Sequence, residues 1–551
     1  MIHYITKIFF TNLIPDFCYI ILTMRVFIPI FIVVYLCIFS ILLDYEQAWM
    51  HPEVADTTRA VLQDHPTLIS RLGQILNWQL QEGSYTGIPN CRTRIFSHAV
   101  QIINIIFRNW LFQFFPPHPS LSVTWIMTLI LSPFFLYKFM LNVTDDKKIA
   151  MLTALVYVSL PGALVPIIML FHPSKVFANF FIIFLLYAAS QLQRQIGSVS
   201  KEGFKHRFLF LAVTLLISFF FDEYCLFGLL MLPIFFPKIF WNQYKVYTLS
   251  TYALLPVLFV ITAVWFLPPI YAAAGYPGFN VLNRTEGVGF FPTLGFISFP
   301  VNFVLQLHDH LLAGINAYLR DESISVKITA FLSFKNQLLH AENIRLGSSM
   351  FNDRFLTPQK IVHNVLTLGI LGLFCAALLR CRTTKDKKTV ENLLKALLAL
   401  ILYTLFFSFL HIANNVLSGG GWYGCAFSVF FAILLGSVLK LILDQMPGSR
   451  WMVYIFVASL IAASLGNVRI TNQAWLALHH RIHVWELDMW LNKLPREELY
   501  RKYFTRKPKN NFAVTMDAWH NRRRPTALKI ILDEVAPEVK NYLNAELPYI
   551  K

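Results

Sequence analysis

The stretch HAVQIINIIFRNWLFQFF, residues 98–115, decides how often this chain crosses a membrane. It is apolar enough to suggest a span, yet it carries Gln101, Asn104, Arg108, Asn109 and Gln113, and Pro116-Pro117 follows directly. A helix with that many polar side chains is better placed along a bilayer surface than through it, because polar groups in hydrocarbon have no water to bond. Laid on the surface, with Arg25 cytoplasmic, it puts the connections Lys138–Lys148, Gln193–Arg207, Pro237–Lys245, Arg380–Lys388 and Asp444–Arg450 inside, where short basic loops belong. The short outward connections His172–Lys175, Asp222–Tyr224 and Asn414–Trp422 then carry little positive charge. Counted as a span, residues 98–115 would turn the basic runs outward, so the surface placement is adopted.

Composition supports a lipid solvent. The 551 residues are 56% hydrophobic and 14% Asp, Glu, Lys and Arg, with a mean hydropathy of +0.54, whereas an average soluble domain is about a quarter charged. The apolar residues come in blocks of about 17 to 22, enough to cross a hydrocarbon layer at 1.5 Å per helical residue. The net charge of +17 is spread over short loops rather than gathered on one domain, which argues for topology and anionic lipid and against a nucleic-acid partner. Seven cysteines lie mostly in or beside apolar blocks, without a CxxC pair or a zinc spacing, so neither a disulfide framework nor a structural metal is expected.

These features predict an all-α polytopic membrane protein with about eleven transmembrane helices. The expected spans are Arg25–Leu43, Leu121–Leu141, Ile149–Leu170, Val176–Leu192, Phe208–Phe221, Cys225–Trp241, Val246–Pro268, Ile361–Leu379, Leu394–Ile412, Tyr423–Leu443 and Trp451–Leu465. Residues 1–23 read as a leader or interfacial segment, with Met1 and Met24 both candidate starts. Residues 24–467 form the transmembrane domain, with long outward loops at 44–120 and 269–360. Residues 468–551 form an amphipathic helical tail, also outward.

The groups able to do chemistry gather on the outward side. Asp44 and Glu46 close the first span, where a carboxylate can serve as a general base or a metal ligand at the surface, or simply mark the interface beside Trp49. Asp222 and Glu223 sit between adjacent spans with almost no loop, a depth at which acids tend to be kept for pairing or function, or else form a simple turn solvated by headgroup water. Arg92, Arg94, His172 and Lys175 supply cations suited to a lipid phosphate or pyrophosphate. Trp422 and Tyr423 follow a glycine turn and could stack on a sugar or anchor at the interface. His308, Asp309 and His310 are the candidate metal ligands, but i and i+2 do not share a helix face, so a solvated helix start is the plainer expectation. Asn283-Arg284-Thr285 is a glycosylation sequon, and no P-loop, GxSxG, HExxH or dinucleotide fingerprint stands in a credible context.

A carboxylate at the outer end of the first span, a long outer loop with a surface helix and further acids between later spans together resemble the GT-C superfamily of integral membrane glycosyltransferases. The resemblance covers roughly residues 24 to 270 in order and spacing, and only general architecture beyond. It implies a transferase that takes a sugar from a polyprenyl-phosphate carrier on the periplasmic or lumenal face, here in a bacterial inner membrane. It places the first-loop catalytic acid on Asp44, with Glu46 as its neighbour. The pattern Asp44-Tyr45-Glu46 departs from the family's Asp-Glu or Asp-x-Asp, which leaves the choice of base open. Arg92 and Arg94 resemble the family's Arg-Pro or Lys-Pro-Pro step without its proline, residues 154–161 with His172–Lys175 resemble the third and fourth spans, and Asp222-Glu223 falls near the second acidic motif.

The implied partners are a lipid-linked sugar donor, an acceptor that is a glycan, a lipid or a protein, and membrane lipids. A divalent metal is compatible with the residues and nothing requires one. The competing class is a transporter or flippase for a lipid-linked or anionic substrate, for which acids inside spans and matching halves are the expected marks. Neither mark is prominent in the sequence.

Overall fold

The computed structural model describes residues 127–160, 173–269, 358–381, 384–411 and 425–462, with isolated positions at Phe96, Ser97, Ala99, Val100, Ile103, Ala163, Phe299, Pro300, Phe303, Leu307 and His310. The chain divides into two units after Asp44, and every described residue belongs to the second, Tyr45–Lys551. Among the described residues every element is a helix and none is a strand. Most of residues 98–115, the span Arg25–Leu43, the long loops and the tail lie outside the described residues.

The helices run in chain order as α1 (Ser132–Thr144), α2 (Lys147–Ser159), α3 (Pro173–Arg194), α4 (Lys201–Phe219), α5 (Gly228–Phe235), α6 (Pro237–Phe240), α7 (Lys245–Ile261, continued by a π turn Thr262–Phe266), α8 (Pro358–Arg380), α9 (Thr384–His411), α10 (Cys425–Gln445) and α11 (Pro447–Ala462). Five stretches are long and apolar enough to cross a membrane: Val176–Arg194, Lys245–Pro269, Val362–Arg380, Lys387–Phe406 and Ala426–Gln445. They mark a membrane protein and coincide with five of the expected spans.

Cys225–Trp241, expected as one span, is instead broken into three pieces. A 3-10 turn at Glu223–Phe227 leads into α5, which holds Pro233, and the chain breaks at Phe236 before Pro237 opens α6. Proline explains it: each ring removes an N–H from the helical ladder and crowds the preceding turn. The carbonyl of Leu229, four residues before Pro233, loses its partner in this way. The hydroxyl of Tyr252 on α7 takes that place, lying 2.9 Å from the Leu229 carbonyl and 3.0 Å from that of Gly228.

Burial separates centre from rim. The α10 span is 89% buried inside the protein, whereas the α7 span is 11% buried. On α7 the exposed residues include Val246, Leu249, Leu254, Val257, Val260, Trp265 and Phe266, and on α8 Val362, Val365, Leu368 and Leu371. These repeat every three or four residues and make continuous apolar faces, far more than a monomer leaves to water. Lipid is the solvent such faces suit. At the centre, α10 crosses α2 where Gly436 meets Thr153: a Cβ on the glycine would overlap the threonine hydroxyl, so the backbones approach as closely as they do only because no side chain intervenes.

One end of the bundle gathers the turns Thr144–Lys147, Arg194–Lys201, Phe235–Lys245, Arg380–Thr384 and Gln445–Arg450, here called the basic end. Polar contacts tie its helices together. Arg194 binds Asp145 at 2.7 Å and Asn142 at 2.9 Å, and Asn142 in turn donates to Ser190 at 2.8 Å. Lys440, almost wholly buried, lies 3.1 Å from Asp444 and 3.5 Å from Asp146, whose other carboxylate oxygen caps α2 through the N–H groups of Lys148 and Ile149. A buried ammonium is tolerated because two carboxylates face it.

Candidate functional site

The opposite end holds the turn between α4 and the 3-10 segment. Helix α4 ends at Phe219 because the backbone extends at Asp222, whose φ and ψ are −161° and 140°. Asp222 then acts as an N-cap: one carboxylate oxygen accepts from the N–H of Tyr224 at 3.0 Å, and its carbonyl accepts from Cys225 at 3.0 Å. Two apolar runs joined by so short a turn leave the carboxylate little room to reach bulk water, and its exposure is 0%. The sequence placed Asp222 at or just beneath an interface; the structure buries it, in a turn whose neighbouring residues pack on aromatic rings.

The rings that hold this turn come from several elements. Phe221 stacks on Phe177 of α3 with centroids 5.0 Å apart and lies 4.8 Å from Phe181. Phe96 donates its N–H to the Phe220 carbonyl at 3.2 Å and its ring lies 5.4 Å from Phe221. Phe219 and Phe220 pack on Phe259 of α7 at 5.5 and 5.4 Å. Tyr224 faces Tyr403 of α9 at 6.1 Å, and Phe227 joins Tyr403 to Phe430 of α10.

Among the expected site residues, Asp222 is thus fully placed and Glu223 is placed by its backbone as the first residue of the 3-10 turn. Lys175 lies by backbone in the first turn of α3, two residues before the Phe177 that stacks on the Asp222 turn. Phe96, two residues beyond Arg94 in sequence, pairs with the same turn. Asp44, Glu46, Arg92, Arg94, His172, Trp422, Tyr423, His308 and Asp309 lie outside the described residues.

His310 is buried rather than at a solvated helix start. Its Nε2 lies 2.7 Å from the Ser428 hydroxyl, and its ring packs between Phe427 and Phe431 at 4.8 and 5.3 Å. These contacts set His310 against the first turns of α10, the helix whose Phe430 packs on Phe227. Among the described residues no three His, Cys, Asp or Glu side chains are set to hold a metal ion.

Tyr403 and Ser428 were not singled out in the sequence, where both read as ordinary members of apolar spans. The hydroxyls in Tyr403-Thr404 and Ser428 were the available signal, since polar groups inside spans tend to have a partner. Compared with known proteins, the chain matches no family model, no curated protein and no solved structure.

Proposed function

We propose that the protein is a membrane glycosyltransferase that moves a sugar from a polyprenyl-phosphate carrier to an acceptor at the acidic end of the bundle, facing the periplasm of a bacterial inner membrane. The observation that carries this reading is the Asp222 turn: a carboxylate without solvent exposure, at the end away from the basic turns, with the start of α3 and the segment after Arg94 packed on it. A lipid carrier would share the membrane with this turn, and an acid held without solvent exposure between two apolar runs is the kind kept for pairing or function.

In the reaction, Asp44, with Glu46 beside it, takes the proton of the acceptor hydroxyl as the oxygen attacks the anomeric carbon. The carbon–oxygen bond to the carrier breaks, and the lipid phosphate leaves with the electron pair without being protonated. Arg92, Arg94, His172 and Lys175 offset the charge on that phosphate, and Trp422 and Tyr423 stack on the sugar. Asp222 and Glu223 orient the cationic groups or the acceptor. A single in-line displacement inverts the anomeric centre.

Asp44→Asn and Asp222→Asn, made separately and assayed for turnover of polyprenyl-linked sugar in membranes at matched protein levels, test this. Each is expected to lower turnover about 100-fold or more, the range of an essential general base or its positioning group. Undiminished turnover in both variants refutes the assignment.

A further inference from the structure

The basic end carries a surface that glycosyl transfer does not use. Here the start of α4, the short α6 and the start of α7 meet over a floor of aromatic rings. Phe204 lies 4.9 Å from Tyr244, Phe208 lies 6.1 Å from both Phe240 and Tyr247, and the Tyr247 hydroxyl donates to the Lys205 carbonyl at 3.3 Å. The side chains of Lys201, His206, Arg207, Lys238 and Lys245 stand exposed around this floor, and Arg207 is steadied by Gln195. Glu202, the acid beside them, is held by Lys205 at 2.9 Å. The Lys205 hydrogen bond and charge keep its carboxyl below the usual carboxylate range, so Glu202 is held within its own pair, and Lys201, Arg207, Lys238 and Lys245 leave the surface with a net positive charge.

Large apolar side chains are exposed in the same place. Trp241 is 71% exposed between Lys238 and Lys245, and Val246, the next residue along α7, is 76% exposed. The exposed apolar face of α7 begins at Val246 and continues to Phe266, so the boundary between its polar and apolar surface passes between Lys245 and Val246. A ligand that matches this surface is anionic at one level and apolar at the next. We infer that this surface binds the headgroups of anionic phospholipids, with Lys201, Arg207, Lys238 and Lys245 on the phosphates and Trp241 and Val246 at the top of the acyl chains. A soluble phosphate or a nucleic acid would engage the cations and leave the indole without a role. The inference rests on the membrane placement of the helices and is independent of what Asp222 does.

Full-length protein in a neutral detergent, mixed with equal amounts of phosphatidylglycerol and phosphatidylcholine and read by native mass spectrometry, tests it. The wild-type chain is expected to retain phosphatidylglycerol about fivefold over phosphatidylcholine. Lys201→Gln, Arg207→Gln, Lys238→Gln and Lys245→Gln together should abolish that preference. Removal of the same charge through Arg380→Gln, Lys387→Gln, Lys388→Gln and Arg450→Gln should leave it in place. Trp241→Ala, an exposed substitution that changes no charge, should weaken retention, and millimolar glycerol phosphate should not displace the lipid. Equal loss in the two charge-removed variants, no preference in the wild-type chain, or displacement by glycerol phosphate would each overturn the inference.

Discussion

Asp222 shows what a single residue can be asked to do in an apolar setting. Its carboxylate caps a 3-10 turn while standing out of contact with solvent, so charge and capping are separable by substitution. Asn keeps an oxygen that can accept from Tyr224 and removes the charge, whereas Ala removes both. Asp222→Asn is therefore expected to fold like the wild-type chain and lose function, and Asp222→Ala to lose about 1 kcal/mol of stability as well, compared by thermal unfolding in detergent. Tyr252 is a second residue whose role is local. Its hydroxyl replaces the N–H that Pro233 lacks, so Tyr252→Phe should cost about 1 kcal/mol or more by stranding the Leu229 carbonyl. An unchanged melting temperature would show that carbonyl to be satisfied otherwise.

At the scale of elements, the long apolar helices were legible because their length and composition alone meet the requirement of a bilayer; the apolar stretches of α3, α7, α8 and α10 stand within a few residues of the expected spans, whereas that of α9 begins seven residues before the expected Leu394. What the sequence did not reveal came from distant partners. Lys440 lies inside an expected span, and the Asp146 that accompanies it caps a helix far earlier in the chain. The burial of His310 depends on Ser428 and two phenylalanines more than a hundred residues on, so local periodicity could not separate it from a solvated position. Asp222 was recognisable as an acid between two apolar runs, but the rings that pack on its turn come from distant residues on α3, α7, α9 and α10. The break in Cys225–Trp241 was written in Pro233 and Pro237, and hydropathy averaged over it. The α2–α10 crossing gives a test at this scale. Gly436→Ala should destabilise the bundle by about 1–3 kcal/mol through overpacking, and adding Thr153→Ala, which removes the hydroxyl and methyl nearest the new Cβ, should restore part of the loss. A double variant no more stable than Gly436→Ala alone would mean that the two helices do not meet there.

The whole molecule has two unlike ends. One collects cations, with its described acids held in ion pairs such as Asp145–Arg194, Glu202–Lys205 and Glu391–Lys395; the other holds the buried acid Asp222. Short basic turns stay on the cytoplasmic side of a membrane, so the proposed function requires the basic end to face inward and the Asp222 end outward, where a lipid-linked donor would be met. The proposed chemistry depends on that orientation. Single cysteines at Ser198, Gly448 and Pro269, in a chain whose native cysteines are replaced by serine, report it through labelling with a membrane-impermeant maleimide, because all three positions are exposed. Pro269→Cys is expected to label in intact cells and Ser198→Cys and Gly448→Cys only after permeabilisation; labelling of Ser198→Cys or Gly448→Cys in intact cells, with Pro269→Cys protected, would contradict the proposed orientation and with it the proposed function.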